Sequence, residues 1–391
     1  MFPHLLGQLA KWFLGLLLVL NIRAFPFVWH VRVFRPLIYI WLSQLALKLK
    51  SMFMSKSAKV KAFERWVDSL TPIGKSPFQE TVFRSWASID ESDYNFHLSN
   101  SSYAKALDGA RFKLAAQLLP KFLVARGVIP LAGTHFHFIR EIPILAKYEI
   151  RITLEAWDEK WIYIVCRFVS RGKKGKSKTK KPISTSPDKK GDIVSDTDTG
   201  TSTPASNPSF FHAPVNSSGV SMSSTPLSTD GAPTDMDKLT SKLLANADYE
   251  EPDGATLHTI TVSQMCFKMG RITIPPAIVF ALNGLSVPPS PPNSEGDAKT
   301  NSTSAVKEYS HANPPPHWQK VNEIASRLHG GSIKKLQAFL RGGWKDVSKE
   351  ERWWEQAMGG AVEERRRRNL ERLELLRRGM EGARGGMVRW G

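Results

Sequence analysis

The chain has 391 residues, of which 54 are Lys or Arg and 36 are Asp or Glu, and its formal net charge is +18 at pH 7. This length allows two or three domains, but the hydrophobic residues, 41% of the total, are spread unevenly and favour one folded domain with long appendages. The chain has two cysteines, Cys166 and Cys266, each in an apolar strand-like run. Two cysteines at this spacing form neither a disulfide framework nor a C-x-x-C metal motif.

Residues 1–50 have the composition of a membrane anchor or an interfacial segment. The apolar run 12–20 is too short to span a bilayer alone, because a hydrocarbon core needs about 20 apolar residues. Further along, Trp29, Arg32 and Arg35 combine an aromatic ring with cations, as segments at a membrane surface do. Three alternatives follow: a marginal signal-anchor helix with an interfacial segment after it, a cleaved signal peptide, and a mitochondrial presequence.

The charge of this segment predicts its orientation. Residues 1–63 contain no Asp or Glu, and basic residues dominate after the apolar run. The positive-inside rule therefore predicts that the main body lies in the cytosol. We expect the membrane of the endoplasmic reticulum, with the mitochondrion as the alternative, because the segment is more apolar and poorer in Ser than a presequence.

Residues 51–76 are predicted to be a linker, and the folded domain is predicted to span 77–285. Apolar alternation over 80–89 favours a strand. Apolar residues at helical spacing predict a helix over 100–119: Tyr103, Leu107, Ala110, Leu114 and Leu118. Ser99 or Asn100 would cap this helix, and Pro120 would end it.

A β-hairpin is predicted after the long helix. Apolar and polar residues alternate over 148–156, and a second strand-like run, 161–169, follows a turn at 158–160. The next segment, 171–253, is rich in Ser, Thr, Pro and Asp and is predicted to be a disordered insertion.

Strand-like sequence resumes at 257–267, and a short helix is predicted over 277–285. The order of strand, long helix, hairpin and further strand predicts an α+β domain in which an antiparallel sheet wraps around the helix.

The remaining residues are predicted to form a disordered linker, 286–316, and a basic helical region, 317–391. Helical patterns cover 318–340 and 348–378. The Arg-rich part of the second pattern predicts a solvated helix with Glu–Arg pairs, and docking on a membrane surface is the alternative. Because no RNA- or DNA-binding module is visible, we do not expect a nucleic-acid partner.

The segment 93–103, Asp-Tyr-Asn-Phe-His-Leu-Ser-Asn-Ser-Ser-Tyr, stands between the predicted strand and the predicted long helix. Its acid therefore precedes a helix N-terminus, where backbone N–H groups stabilise developing negative charge. The segment resembles the entry signature of hotdog-fold acyl-CoA thioesterases, and most of all that of the group containing thioesterase superfamily member six. The matching residues are Asp93, His97, Asn100 and Tyr103. Phe96 and Ser99 stand where the signature has Gly and Asn.

The resemblance implies a hotdog fold over roughly 77–170 and 257–285, and hydrolysis of fatty acyl-CoA to a fatty acid and CoA. It implies that Asp93 is the base or the nucleophile and that the Asn100 backbone N–H donates to the oxyanion. His97 would support the loop.

The same resemblance places Phe96, Ser99 and Tyr103 beside the substrate. It implies no cofactor, and it implies a homodimer with the site at the interface of its two domains.

Structural interpretations of the same residues remain open. An Asp at position 93 is also typical of a helix cap or a turn. Asn100 is likewise typical of a helix cap, and Tyr103 of a core residue. Gly permits a positive φ, whereas the ring of Phe96 is expected to obstruct the acyl channel. The second hypothesis is therefore an inactive hotdog domain that binds acyl ligands or a protein partner at the membrane.

His135 and His137 form an H-x-H pair on one face of a predicted strand. No acids lie nearby at metal-ligand spacing, so we expect two exposed polar positions and no metal site.

Overall fold

The computed structural model describes residues 2–171, 251–288 and 308–387. The first compact unit of the chain is formed by the described residues of Met1–Arg171 and Ala255–Gly391. The predicted disordered insertion lies almost entirely outside the described residues, and so does most of the predicted linker 286–316.

The strands of the first unit form an antiparallel sheet. They are β1 (Thr81–Trp86), β2 (Leu131–Phe138), β3 (Lys147–Trp157), β4 (Trp161–Ser170), β5 (Thr256–Met269) and β6 (Ile272–Ile274). Their order is β1-β3-β4-β5-β2, and β6 pairs with β5. β3 and β4 form the predicted hairpin, while β1 and β2 lie at the two edges.

The long helix α4 (Asn100–Leu118) packs against β1 and β3 and forms the centre of the core. The residues that predicted it are no more than 4% exposed: Tyr103, Leu107, Ala110, Leu114 and Leu118. The prediction of an α+β domain with an antiparallel sheet is confirmed. Pro120 ends the pattern as expected and begins a short helix, α5 (Pro120–Val124), because proline is tolerated in a first helical turn.

Two helices cover the N-terminal segment, α1 (Phe2–Leu20) and α2 (Val28–Lys50). α2 packs along α4 and buries Val33 and Ile40. Within the described ranges, no helix has both the length and the apolar character needed to cross a membrane.

The predicted linker 51–76 is instead largely helical, since α3 (Lys56–Leu70) occupies its middle. The Ser55 hydroxyl caps this helix by accepting from the Ala58 N–H at 3.3 Å. The carboxylate of Glu64 is buried and accepts from the Arg327 N–H at 2.9 Å. The basic composition of the segment concealed a helix whose stability depends on contacts distant in sequence.

The C-terminal helices pack on the same unit. They are α6 (Pro276–Leu282), α7 (Trp318–Ala325), α8 (Ile333–Leu340), α9 (Trp353–Ala357) and α10 (Ala361–Met387). Trp353 and Trp354 join the hydrophobic core, and Asn369 Nδ2 donates to the Glu155 carbonyl at 2.8 Å. The structure thus differs from the predicted solvated helix, because one face of α10 is fixed to β3.

Candidate active site

Asp93 organises a tight turn directly before α4. Its Oδ1 accepts from the Asn95 N–H at 3.0 Å and from the His97 N–H at 3.3 Å, and its own N–H donates to the His97 carbonyl at 2.8 Å. Its Oδ2 has no hydrogen-bond partner among the described residues. One carboxylate oxygen therefore holds the turn while the other is available for a different role.

Phe96 adopts the backbone conformation that glycine favours. Its φ is 62°, which is rare for a large side chain and costs free energy that the surrounding contacts have to offset. Its carbonyl accepts from the Ile144 N–H at 2.8 Å, which ties the turn to the chain before β3. Phe96 is 69% exposed and its ring does not enter the core, and the obstruction of an acyl channel by this ring remains a prediction.

His97 connects the turn to the segment between β2 and β3. Its Nε2 lies 3.0 Å from Glu141 Oε2, and the next residue, Leu98, donates its N–H to the Ile142 carbonyl at 2.8 Å. Nδ1 is buried and has no hydrogen-bond partner among the described residues. These contacts suit the predicted role of His97 in supporting the loop, which remains a prediction.

The start of α4 leaves backbone donors unused. The Ser99 hydroxyl lies 3.1 Å from the Ser101 hydroxyl and 2.9 Å from the Ser102 hydroxyl, and it does not cap the helix. Asn100 is exposed, and its N–H belongs to the first turn, which has no intrahelical acceptor. The helix dipole adds partial positive charge at this point. The predicted oxyanion donor thus has no intrahelical acceptor, and its role remains a prediction.

Tyr103 lies in the core. It is 2% exposed, and its ring packs against Phe138 and Phe168, with ring centroids 5.2 Å and 4.8 Å away. Burial raises the pKa of its phenol to about 12, which keeps it neutral. This environment matches the core interpretation, and its assignment to substrate binding remains a prediction.

An apolar cavity of about 380 Å³ lies between the second half of α4, the sheet and α2. Its walls include Leu114 and Leu118 of α4, Met265 and Phe267 of β5, and Val33 and Phe34 of α2. The volume is within the range of ligand pockets. None of the site residues predicted from the sequence lines this cavity. The first α4 residue in its wall, Asp108, is about 12 Å along the helix axis from Asn100.

A family model described as the thioesterase-like superfamily matches residues 86–181, which include the turn, α4 and the β3–β4 hairpin. Over these residues the chain is similar to the thioesterase-like superfamily. Thioesterase lcsJ of Purpureocillium lilacinum is 28% identical over 184 residues, or 41% of this chain and 60% of that protein. Protein THEM6 of Xenopus laevis is 27% identical over 103 residues, or 26% of this chain and 50% of that protein. The resemblance to the member-six group is therefore confirmed.

A third relative, a probable thioesterase of Saccharomyces cerevisiae, is 36% identical over 94 residues, or 23% of this chain and 41% of that protein. The chain thus spans about half the length of the curated relatives it matches. Among solved structures, the Dynemicin thioesterase is similar, with a TM-score of 0.27 and 12% identity over 50% of this chain and 87% of that chain.

A buried ionic cluster that sequence reasoning missed lies beside the candidate site. Glu91 is 3% exposed and lies two residues before Asp93. Arg23 Nη1 lies 2.9 Å from its Oε2, Arg32 Nη1 lies 2.8 Å from its Oε1, and Lys105 Nζ lies 3.4 Å from its Oε1. Its backbone carbonyl accepts from the Ser99 N–H at 3.0 Å. The cluster fastens the N-terminal segment to both ends of the candidate site.

The signal for this cluster was weak in the sequence. The acid-free N-terminal segment needed a partner for its arginines, but 68 residues separate Arg23 from Glu91 and 59 separate Arg32 from Glu91.

His135 and His137 are exposed on the edge strand β2. In the part of the chain that the structure describes, no group of three or more His, Cys, Asp or Glu side chains could hold a metal ion.

Proposed function

We propose that this protein hydrolyses fatty acyl-CoA thioesters to a fatty acid and CoA, with Asp93 and the start of α4 as the reaction centre. The observation that carries the proposal is the arrangement of one turn. Asp93 Oδ1 accepts hydrogen bonds from two backbone N–H groups, and Oδ2 has no hydrogen-bond partner among the described residues. The Asn100 N–H lies at the first position of the helix that follows. Relatives whose names say thioesterase support hydrolysis of a thioester.

In the proposed reaction, Asp93 Oδ2 accepts a proton from water as the water oxygen attacks the thioester carbon. Negative charge develops on the carbonyl oxygen, which the Asn100 N–H and the helix dipole stabilise. The C–S bond then breaks, the thiolate of CoA leaves and takes up a proton, and the fatty acid remains. Direct attack by Asp93 to form an anhydride, which water then hydrolyses, is the covalent version of the same step.

The apolar cavity is the proposed site of the acyl chain. Its apolar walls suit a hydrocarbon chain, because transfer of apolar surface from water is favourable. The distance of about 12 Å between the helix start and the cavity wall requires a long chain to connect the two. We therefore expect the rate of thiol release to rise with acyl-chain length.

The alternative is an inactive domain that binds acyl ligands, and it also has support. The hydrogen bonds of Asp93 Oδ1 hold the turn without any part in catalysis, and Phe96 adopts its strained φ within that turn. Thiol release from a series of acyl-CoAs, measured with the full chain, separates the two. Saturable acyl-CoA binding without release at any chain length would favour the inactive domain.

We further propose that the N-terminal helices hold the protein on a membrane surface facing the cytosol, in the endoplasmic reticulum. The outer face of α2 exposes Trp41 by 62%, Leu45 by 52% and Leu49 by 60%, and α1 exposes Trp12 by 77%. Residues 1–63 carry no acid, which suits anionic lipid. Exposed apolar patches of this kind mark membrane or protein contacts.

The double substitution Trp41→Glu and Leu45→Glu is expected to weaken binding to anionic phospholipid vesicles at least tenfold. Each large apolar side chain contributes about 1.5–3 kcal/mol when buried, and about 1.4 kcal/mol corresponds to a tenfold change. Vesicle flotation of the full chain measures the effect. Leu328→Glu is the matched control, since Leu328 is 51% exposed on the C-terminal region. Equal flotation of wild type and the double variant would contradict membrane contact through α2.

We also propose a homodimer that pairs along β2. This strand lies at a sheet edge, and its Phe138 is 44% exposed. An unpaired edge strand offers backbone groups to a second copy. Phe138→Lys is expected to convert a dimer into a monomer in sedimentation velocity, whereas Val82→Lys on the opposite edge strand should not. A monomeric wild type, or a dimer that survives Phe138→Lys, would contradict this pairing.

A further inference from the structure

The wall of the apolar cavity carries one buried cation, Arg111 on α4. The only other charged residue in that wall is Asp108, one helical turn earlier. The side chain of Arg111 is 8% exposed, whereas that of Asp108 is 44% exposed. A buried cation in an apolar wall is costly unless hydrogen bonds satisfy it, so its partners have to be accounted for.

The partners of Arg111 come from three elements. Its Nε and Nη2 donate to the Ser263 hydroxyl on β5 at 3.2 Å and 2.8 Å, and Nη2 donates to the Thr134 hydroxyl on β2 at 2.7 Å. Its Nη1 donates to Asp108 Oδ1 at 3.4 Å. A guanidinium has five N–H donors. The second N–H of Nη1 therefore has no acceptor among the described residues.

The charges around Arg111 limit what the unused donor can bind. Burial raises the pKa of the adjacent Cys166 thiol to about 12, so this thiol is neutral. Asp108 is then the carboxylate that faces the guanidinium. Because Asp108 already balances the charge of the guanidinium, a neutral oxygen can accept from the unused N–H without bringing a second negative charge into the apolar wall.

We propose that Arg111 is a specificity residue that donates a hydrogen bond to a hydroxyl or keto oxygen on the acyl chain of the substrate. This rests on the proposed function, in which the cavity holds the acyl chain. The preferred substrates are then oxygenated acyl thioesters, with the oxygen at the one depth along the chain that reaches Arg111. A plain hydrocarbon chain would enter the same cavity but leave the donor unpaired.

The structural interpretation of Arg111 is that it ties α4 to β2 and β5. That role predicts a loss of stability on substitution, but it predicts no preference between acyl chains of equal length. Selectivity is therefore the readout that separates the two roles.

The experiment measures kcat/KM of the full chain for a positional series of monohydroxy acyl-CoAs and for the unsubstituted acyl-CoA of equal length. Hydrogen bonds to charged groups contribute enough for a preference of roughly 10- to 100-fold. We expect this preference at one hydroxyl position in the wild type. In Arg111→Met the ratio of the two kcat/KM values should fall close to one. Arg111→Lys should also lose most of it, since a lysine lacks the planar fork.

A wild type that hydrolyses all positional isomers and the plain chain equally would overturn the proposal, and so would an Arg111→Met variant that keeps the preference. If no acyl-CoA is hydrolysed, the proposed function fails, and binding of hydroxy and plain fatty acids to the full chain tests Arg111 alone. Tighter binding of one hydroxy isomer, lost in Arg111→Lys, would support the inference. Equal binding of all of them would overturn it.

Discussion

Asp93→Asn is expected to lower thioester turnover by about 10²- to 10⁴-fold, the usual contribution of a positioned acid or base. Asparagine keeps a side-chain carbonyl oxygen, which can still accept from the Asn95 and His97 N–H groups. The substitution therefore removes the carboxylate chemistry and leaves the turn. The measurement is steady-state thiol release from a long-chain acyl-CoA.

The chain contains a matched control for this substitution. Asp158 holds the β3–β4 turn in the same way, with its Oδ1 accepting from the Lys160 N–H at 2.8 Å and the Trp161 N–H at 2.6 Å. Asp158→Asn should leave turnover at the wild-type level. Turnover in Asp93→Asn equal to that in Asp158→Asn would reduce Asp93 to a turn residue.

Glu91→Ala is expected to lower the free energy of unfolding by about 3 kcal/mol. Removing one member of a buried ion pair leaves uncompensated charge, which costs about 3–5 kcal/mol, and the partial exposure of the arginines favours the lower end. Urea titration of the full chain measures the change. Glu323→Ala is the control, because the Glu323–Lys320 pair is exposed and should contribute at most about 1 kcal/mol. Equal losses in the two variants would contradict a special role for the cluster.

The carboxylate of Glu91 also predicts how the stability of the folded chain depends on pH. Burial acts to raise the pKa of Glu91, but the hydrogen bond and charge of Arg32, with the charges of Arg23 and Lys105, outweigh it and lower the pKa below its ordinary value of 4.5. The unfolded chain therefore binds this proton more readily than the folded chain. The stability due to Glu91 is complete above about pH 4.5 and is lost as pH falls through the lower folded pKa. In Glu91→Gln, this loss of stability at low pH should be absent.

The parts of the fold that followed from the sequence are those with local periodicity. α4 and the β3–β4 hairpin were predictable because their buried residues recur at fixed spacing, such as Leu107, Leu114 and Leu118 on the helix. The position of Asp93 before a helix was predictable for the same reason. Its division into one structural and one unused oxygen was not, because that depends on the path of the turn.

The remaining features depend on contacts between distant segments. The cavity needs α2, α4 and β5 together, and the composition of none of these elements indicates a void between them. The helix α3 was hidden by its basic residues, although Ser55 caps it and the distant Arg327 binds its Glu64. The large ring of Phe96 predicted an obstruction from residue type alone. The sequence did not show that its backbone would adopt the positive φ that glycine favours.

The measurement that tests the proposed activity most directly is a single-turnover reaction with the full chain in excess over a long-chain acyl-CoA. We predict release of one equivalent of CoA thiol per acyl-CoA by the wild type, and no release on the same timescale by Asp93→Asn. Intact acyl-CoA recovered from both proteins, after each has bound it, would contradict a thioesterase centred on Asp93.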